Sequence, residues 1–495
     1  MKYLSTRDAS LRFDAAQAIV QGLSREGGLF TPETFPKLPE GMLEALIPET
    51  YQNRAVQVMQ LFLEDFTREE LQEYAARAYA FGEKFDTEAV APVTHVTEGT
   101  EVLELWHGPT CAFKDMALQM LPHLLTASLR KTGEKRTACI LVATSGDTGK
   151  GALEGFRDVD HTKILVFYPK DGVSDIQKLQ MVTQEGQNVG VCSVIGNFDD
   201  AQTGVKQIFS DEALRERLSG RGYFLSSANS INWGRVLPQV VYYISAYCDL
   251  VRDGRIRMGD QINFCVPTGN FGDILAGYYA KVMGLPVRRL ICASNANNVL
   301  TDFIRTGVYD RNRPFYTTAS PSMDILISSN LERLLYQLSG SDEAVRGYMD
   351  SLSRTGRYEV SPALLEQIQE SFSAGWCSDE AAADTIAKVF GTEGYLMDTH
   401  TAVAYTVLEQ YRKETGDNTL TVVLSTASPY KFCASVLEAM GVSDLRPGTE
   451  IIGQLEEKTR TKAPKPLSGL AGRKVRFTQS TEKTEMTRVV EEFLD

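Results

Sequence analysis

The sequence predicts an α/β protein: two facing, mostly parallel sheets covered by helices, preceded by a helical N-terminal extension. Three observations lead there. Apolar runs repeatedly end in turns rich in glycine or hydroxyls and then give way to amphipathic stretches, a strand–turn–helix rhythm that builds parallel sheets. The chain has 495 residues, too many for one simple core. The first 95 residues lack that rhythm and alternate weakly.

Taken in order, residues 1–95 read as an extension or cap. Helical stretches at Phe13–Gly22 and Glu69–Phe81 flank the glycine- and proline-rich loop GGLFTPETFPKLPEG. Residues 96–235 read as a smaller α/β domain: ACILVAT leads into SGDTG and a helix, KILVFYP into IQKLQMVTQEG, and NVGVCSVIG into FDDAQTGVKQIF. Residues 236–495 read as a larger α/β domain, in which INFCVP leads into TGNFG and a helix, followed by RRLICAS and TLTVVLS. The tail after Gly441 is charged and weakly periodic, as a surface extension would be. Sheets of this kind bind ligands at the carboxyl ends of their strands, where the glycine-rich loops lie.

Hydrophobic residues make up 43% and charged residues 23%, ordinary values for a globular protein. A net charge of −13 argues against nucleic acid or an anionic membrane as the main partner. The eight cysteines form no CxxC pair, and several lie in apolar runs. That is the usage of a reducing compartment, and no metal site is expected from their spacing. MKYLSTRDASLRF has no apolar signal core, and no apolar run is long enough to span a bilayer. A cytoplasmic protein is expected.

Four loops carry chemistry. In PTGNFGD, Gly269 and Gly272 permit tight turns and close approach, and the following helix would offer unpaired N–H groups to an anion; Asn270, Phe271 and Asp273 complete the loop. A plain strand–helix turn is the alternative. In ATSGDTG, Ser145, Gly146, Asp147 and Thr148 suit a carboxylate at a helix start. Lys150 invites a P-loop reading, but the glycine spacing rules it out. In HGPTCAFKD, Lys114 stands before a helical stretch among Cys111, Ala112 and Phe113; an amine there becomes a nucleophile if burial lowers its pKa, and a surface lysine paired with Asp115 is the alternative. His107 reads as structural. In STASPYKF, Ser425, Thr426 and Ser428 end a strand, either as partners for a pyridine nitrogen or as a helix cap. Arg235, preceded by Asn229, Ser230 and Asn232 in NSINWGR, forks toward phosphate or forms a structural ion pair. An amine, an anion cradle and a buried hydroxyl together are what pyridoxal 5'-phosphate requires.

The stretches QGLSREGGLFTP, HGPTCAFKD, TSGDTG, NSINWGR, PTGNFGD and STASPYKF resemble, in order, the long form of the threonine synthase family, and they span most of residues 3–437. The segment near 310–390 and the tail match poorly. The resemblance implies fold type II of the pyridoxal-phosphate enzymes, similar to the tryptophan synthase β chain. It implies that Lys114 carries the cofactor aldehyde beside Phe113, and that Gly269, Asn270, Phe271, Gly272 and Asp273 hold the cofactor phosphate. Thr426 would face the ring nitrogen. Ser145, Asp147 and Thr148 would meet the ring hydroxyl or the substrate carboxylate, Asp147 counting among the cofactor's partners and Gly146 among the substrate's. Asn229, Ser230, Asn232 and Arg235 would meet the substrate phosphate. Ser428 departs from a family pattern that often has histidine. The implied reaction is conversion of O-phospho-L-homoserine and water to L-threonine and phosphate, a β,γ-elimination and replacement by a carbon–oxygen lyase, in a monomer or homodimer. A serine or threonine dehydratase and a non-catalytic threonine synthase-like binder of phosphate ligands are the competing readings.

Overall fold

Runs such as Ile262–Pro267 and Thr137–Ala143 are apolar at nearly every position, so they need cover on both faces, and a parallel sheet under helices supplies it. The computed structural model describes residues 1–170 and 173–495. It contains a six-stranded sheet in the order Phe372–Trp376, Val287–Ser294, Ile262–Pro267, Thr421–Ser425, Thr100–Glu104, Val93–Thr97. All its neighbours are parallel except the last pair. A five-stranded, wholly parallel sheet runs Ser480–Glu482, Val189–Ile195, Thr162–Pro169, Thr137–Ala143, Tyr223–Ser226. Helix Trp233–Arg252 is buried along nearly its whole length and packs against helices Tyr51–Gln60 and Gly272–Met283. Among the described residues, no helix is long and apolar enough to cross a membrane.

The structure departs from expectation in three places. The extension is not purely helical: Asp8–Phe13, Tyr3–Ser5 and Phe30–Pro32 form a small antiparallel sheet, whose three-residue strands are too short to show alternation. Strand Thr100–Glu104, expected in the smaller domain, pairs with Thr421–Ser425 in the larger sheet. The tail is not a surface extension. Ile451, Ile452, Leu455 and Leu467 join the core of the larger part, and Ser480–Glu482 adds an edge strand to the smaller sheet. Helix Met486–Leu494 then buries Met486, Val489, Val490 and Leu494 against the smaller sheet's core. Met486→Ala is therefore expected to cost about 2–4 kcal/mol, read from the urea midpoint; an unchanged midpoint would mean that the tail is dispensable.

Candidate active site

The lysine loop is built by Asp115. Its carboxylate accepts from the Thr110 backbone N–H and hydroxyl, both at 2.8 Å, and lies where a Cβ on Gly108 would clash, at 2.6 Å. The pairing of Lys114 with Asp115 therefore does not form. Cys111 takes a left-handed φ of 59° and is fully buried, and burial pushes its thiol pKa up, so it fills space. The Phe113 N–H donates to the Thr426 carbonyl at 2.8 Å, which ties the lysine loop to the end of strand Thr421–Ser425. His107 is structural, held by Asp86 at 2.6 Å and Glu104 at 2.9 Å; those carboxylates overcome burial and raise its pKa to about 9.

Lys114 stands at the start of the short helix Asp115–Leu118 with 9% of its surface exposed and its amine 4.5 Å from the Phe113 ring centre. Burial lowers its pKa to about 8; Asp147 opposes that shift, while Arg235 and Lys431 reinforce it. About a tenth of the amine is thus unprotonated at pH 7, far more than for an ordinary lysine, as a nucleophile or base requires.

The cradle lies across the cavity. Phe271, rather than either glycine, takes the left-handed conformation (φ 64°), which the ring contact with Phe372 at 5.6 Å helps to hold. Gly269 is needed for close approach: a Cβ there would lie 2.7 Å from the Ser322 carbonyl oxygen. Helix Gly272–Met283 has no side-chain cap, so its first N–H groups lack a protein acceptor there, and its positive end favours an anion.

Asp147 begins helix Asp147–Gly155, buried, with Lys431 Nζ at 2.7 Å, Lys114 Nζ at 3.9 Å and Gln177 Nε2 at 2.8 Å. Against its own burial, Lys431 and then Lys114 hold its carboxyl well below the usual range. Its contribution to stability is therefore complete above the ordinary aspartate pKa of about 4 and is lost only as pH falls through the depressed value. Asp147 and Gly146 do not border the cavity, whereas Ser145 and Thr148 do. A carboxylate so engaged is a poor partner for a substrate carboxylate; it pairs with Lys431 and opposes the lowering of the Lys114 pKa. Lys431→Met would strand it, at an expected cost of about 3–5 kcal/mol in unfolding free energy. The double variant Lys431→Met, Asp147→Asn should recover most of that loss, and a single variant as stable as the native chain would remove Lys431 from this role.

Arg235 is 97% buried within the first turn of helix Trp233–Arg252. One terminal nitrogen donates to the Ala228 carbonyl, its Nε has no partner, and no carboxylate pairs with it among the described residues. Burial lowers its pKa to about 10. The structural ion pair is thus absent. Asn229 and Ser230 border the same cavity, and Asn229 Oδ1 is buried without a partner. Asn232 does not join them: it caps the long helix through Gly234 N–H at 2.9 Å and donates to the Ile19 carbonyl at 3.0 Å. Ser428 is likewise a buried cap, accepting from Tyr430 N–H.

A cavity of about 1620 Å³ is bordered by Phe113, Lys114, Thr426, residues 267–273 and Arg235 together. Sequence reasoning missed Lys431, although it lies inside a quoted motif, and His400. His400 is clamped by Asp398 at 2.7 Å and accepts from Ser322 N–H at 3.1 Å, which holds the loop that presses on Gly269. The helix-start pattern DTHT was the available signal. Among the described residues, no cluster of His, Cys, Asp or Glu has a metal-binding arrangement.

Comparison with known proteins adds three family matches: threonine synthase N terminus over residues 2–79, pyridoxal-phosphate dependent enzyme over 102–426, and threonine synthase, C-terminal, over 401–492. Threonine synthase from Schizosaccharomyces pombe is 36% identical, covering 98% of this chain and 99% of its own length. Threonine synthase-like 1 from Homo sapiens is 42% identical over 87% of this chain, which spans 58% of that protein. The crystal structure of a pyridoxal-phosphate-bound threonine synthase from Brucella melitensis superposes with a TM-score of 0.86 at 37% identity, covering 100% of this chain and 99% of that one.

Proposed function

The chain belongs to the threonine synthase family of pyridoxal-phosphate dependent enzymes, and on that premise we propose that it converts O-phospho-L-homoserine and water to L-threonine and phosphate. Pyridoxal 5'-phosphate is the cofactor, and the residues present fit it. At the Gly269–Gly272 cradle a Cβ on Gly269 would strike the Ser322 carbonyl, so the backbone packs closely at the cavity edge, and the helix start there lacks a side-chain cap for its N–H groups. Lys114 offers a buried amine for the aldehyde, and Thr426 a neutral hydroxyl for the ring nitrogen.

When bound, the cofactor supplies an electron sink for negative charge on the carbons of the attached amino acid. The protein's part is to place groups around it. Lys114 Nζ, with a pKa of about 8, takes the proton from substrate Cα and returns protons later. Asp147 and Lys431 fix the field around that amine. Ser145 and Thr148 bind the substrate carboxylate at the start of helix Asp147–Gly155. Asn229, Ser230 and Arg235 bind the phosphate that leaves Cγ, and water adds at Cβ.

One observation carries this reading over a dehydratase: the cavity that holds the lysine and the cradle holds a second anion site, the unpaired buried guanidinium of Arg235. The same proposal includes a cytoplasmic monomer or homodimer acting without nucleic acid. Eight unpaired buried cysteines and the net charge of −13 support it. The test is to incubate the protein with cofactor and O-phospho-L-homoserine and to quantify phosphate and threonine. Equal amounts are expected. Phosphate with ammonia and 2-oxobutyrate would assign an eliminating relative, and no product at all would leave a ligand-binding protein.

A further inference from the structure

An aspartate is an odd neighbour for a phosphate, and Asp273 closes the cradle. It occupies the second position of helix Gly272–Met283, 6% exposed, at the border of the cavity. Its Oδ1 lies 2.6 Å from the Tyr242 hydroxyl and 2.8 Å from the Tyr243 hydroxyl. Its Oδ2 is buried and has no partner among the described residues. No lysine, arginine or histidine stands within ion-pair distance of it among those residues; the salt bridges on the adjoining helix involve Asp249 and Asp253 instead.

The Tyr242 hydroxyl also reaches Gln239 Oε1 at 3.1 Å, and the Tyr243 hydroxyl also reaches the Asp273 carbonyl at 3.0 Å. Two hydroxyl protons therefore serve four acceptor contacts. With an ionised carboxylate, Oδ2 is an unsolvated anionic oxygen beside an anion site, which is costly twice over. With a carboxylic acid, both hydroxyls donate to Oδ1 and the remaining proton sits on Oδ2, the oxygen that otherwise has no partner.

We propose that Asp273 serves the cradle as a neutral carboxylic acid, its Oδ2–H donating a hydrogen bond to the phosphate of the bound cofactor. This rests on the cofactor reading above. The titratable groups facing Asp273 are Tyr242 and Tyr243 on the long helix and Lys114 across the cavity. Burial raises its pKa to about 6, against the pull of the two tyrosine hydrogen bonds and Lys114. A phosphate in the cradle raises it further by repulsion between like charges. In the free protein the folded state holds this proton more tightly than the unfolded chain. That contribution to stability is complete below about pH 4 and is lost as pH rises through about 6.

The experiment titrates pyridoxal 5'-phosphate into native and Asp273→Asn proteins by calorimetry, in buffers of different ionisation heat. Near pH 7.5 the native chain is expected to take up about one proton more on binding than the asparagine variant. The ratio of their affinities should change by up to ~10-fold per pH unit between pH 6 and 8, since one linked proton has that slope. Should both proteins bind the cofactor with equal proton uptake, Asp273 is ionised in the complex and the proposal is overturned while the cofactor reading stands. Binding to neither would overturn both. If the asparagine variant does not fold, infrared difference spectra of the native protein decide. A protonated carboxyl band at pH 7.5 in the cofactor complex supports the proposal, and its absence overturns it.

Discussion

Lys114→Ala is expected to lower threonine formation by about 10⁴-fold or more while leaving the protein folded. Two properties make the loss that large. On the proposed reading the amine both holds the cofactor and moves protons at the substrate, and the neighbouring Lys431 cannot replace it, because it is fully buried and committed to Asp147 and the Thr110 carbonyl. The variant should still bind cofactor weakly, because the Gly269–Gly272 cradle is untouched. Borohydride reduction gives a direct chemical readout: it should fix the cofactor to the native chain at Lys114 and leave none attached to the variant. Turnover within tenfold of native in Lys114→Ala would refute the assignment. Burial already disfavours the charge on this amine, and Asp147 keeps Lys431 when it is removed, so a folding defect is not the expected explanation of inactivity.

Arg235→Ala should reduce kcat/KM for the phosphorylated substrate by about 10²–10³-fold, mostly through KM, because the guanidinium has no competing carboxylate among the described residues and is ready for an anion. Arg235→Lys should recover only part of that, since a point charge does not reproduce the planar fork. Unlike a structural ion pair, this arginine is a buried charge without a counter-charge, and its removal should leave the unfolding midpoint unchanged or higher. Inorganic phosphate should inhibit the native protein and lose most of that effect on Arg235→Ala. A variant that is destabilised yet keeps native KM would return Arg235 to a purely structural role.

What was legible in the sequence follows from what is local. Parallel strands such as Ile262–Pro267 and Thr421–Ser425 are apolar on both faces, and the loops that end them carry glycines and hydroxyls, so the sheets and the cavity loops can be read in one dimension. Four kinds of feature could not. Asp147 and Lys431 meet only through tertiary packing, and nothing near either position announces the other. Phe271 adopts its left-handed angle because the surrounding fold holds it there, so the rule that assigns such angles to glycine pointed to the wrong residues of the loop. Asn232 and Ser428 belong to residue types that serve as helix caps as readily as ligands, and only the observed acceptors and donors decide between the two. The three-residue strands Tyr3–Ser5 and Phe30–Pro32 are set by their neighbours rather than by any period of their own.

The edge strand Ser480–Glu482 also bears on how the protein is made. Strand Val189–Ile195, apolar and buried over most of its length, gains that neighbour only near the end of the chain. At about 5–20 residues per second the ribosome would expose its open edge for roughly 15–60 s before the last strand and helix emerge. During that interval the nascent chain offers a sticky parallel edge to other chains, which makes the smaller sheet dependent on protection until the last strand arrives. Fusion partners or slow codons ahead of residue 480 would lengthen that exposure, whereas a permuted chain that begins near residue 478 would synthesise the protecting strand first.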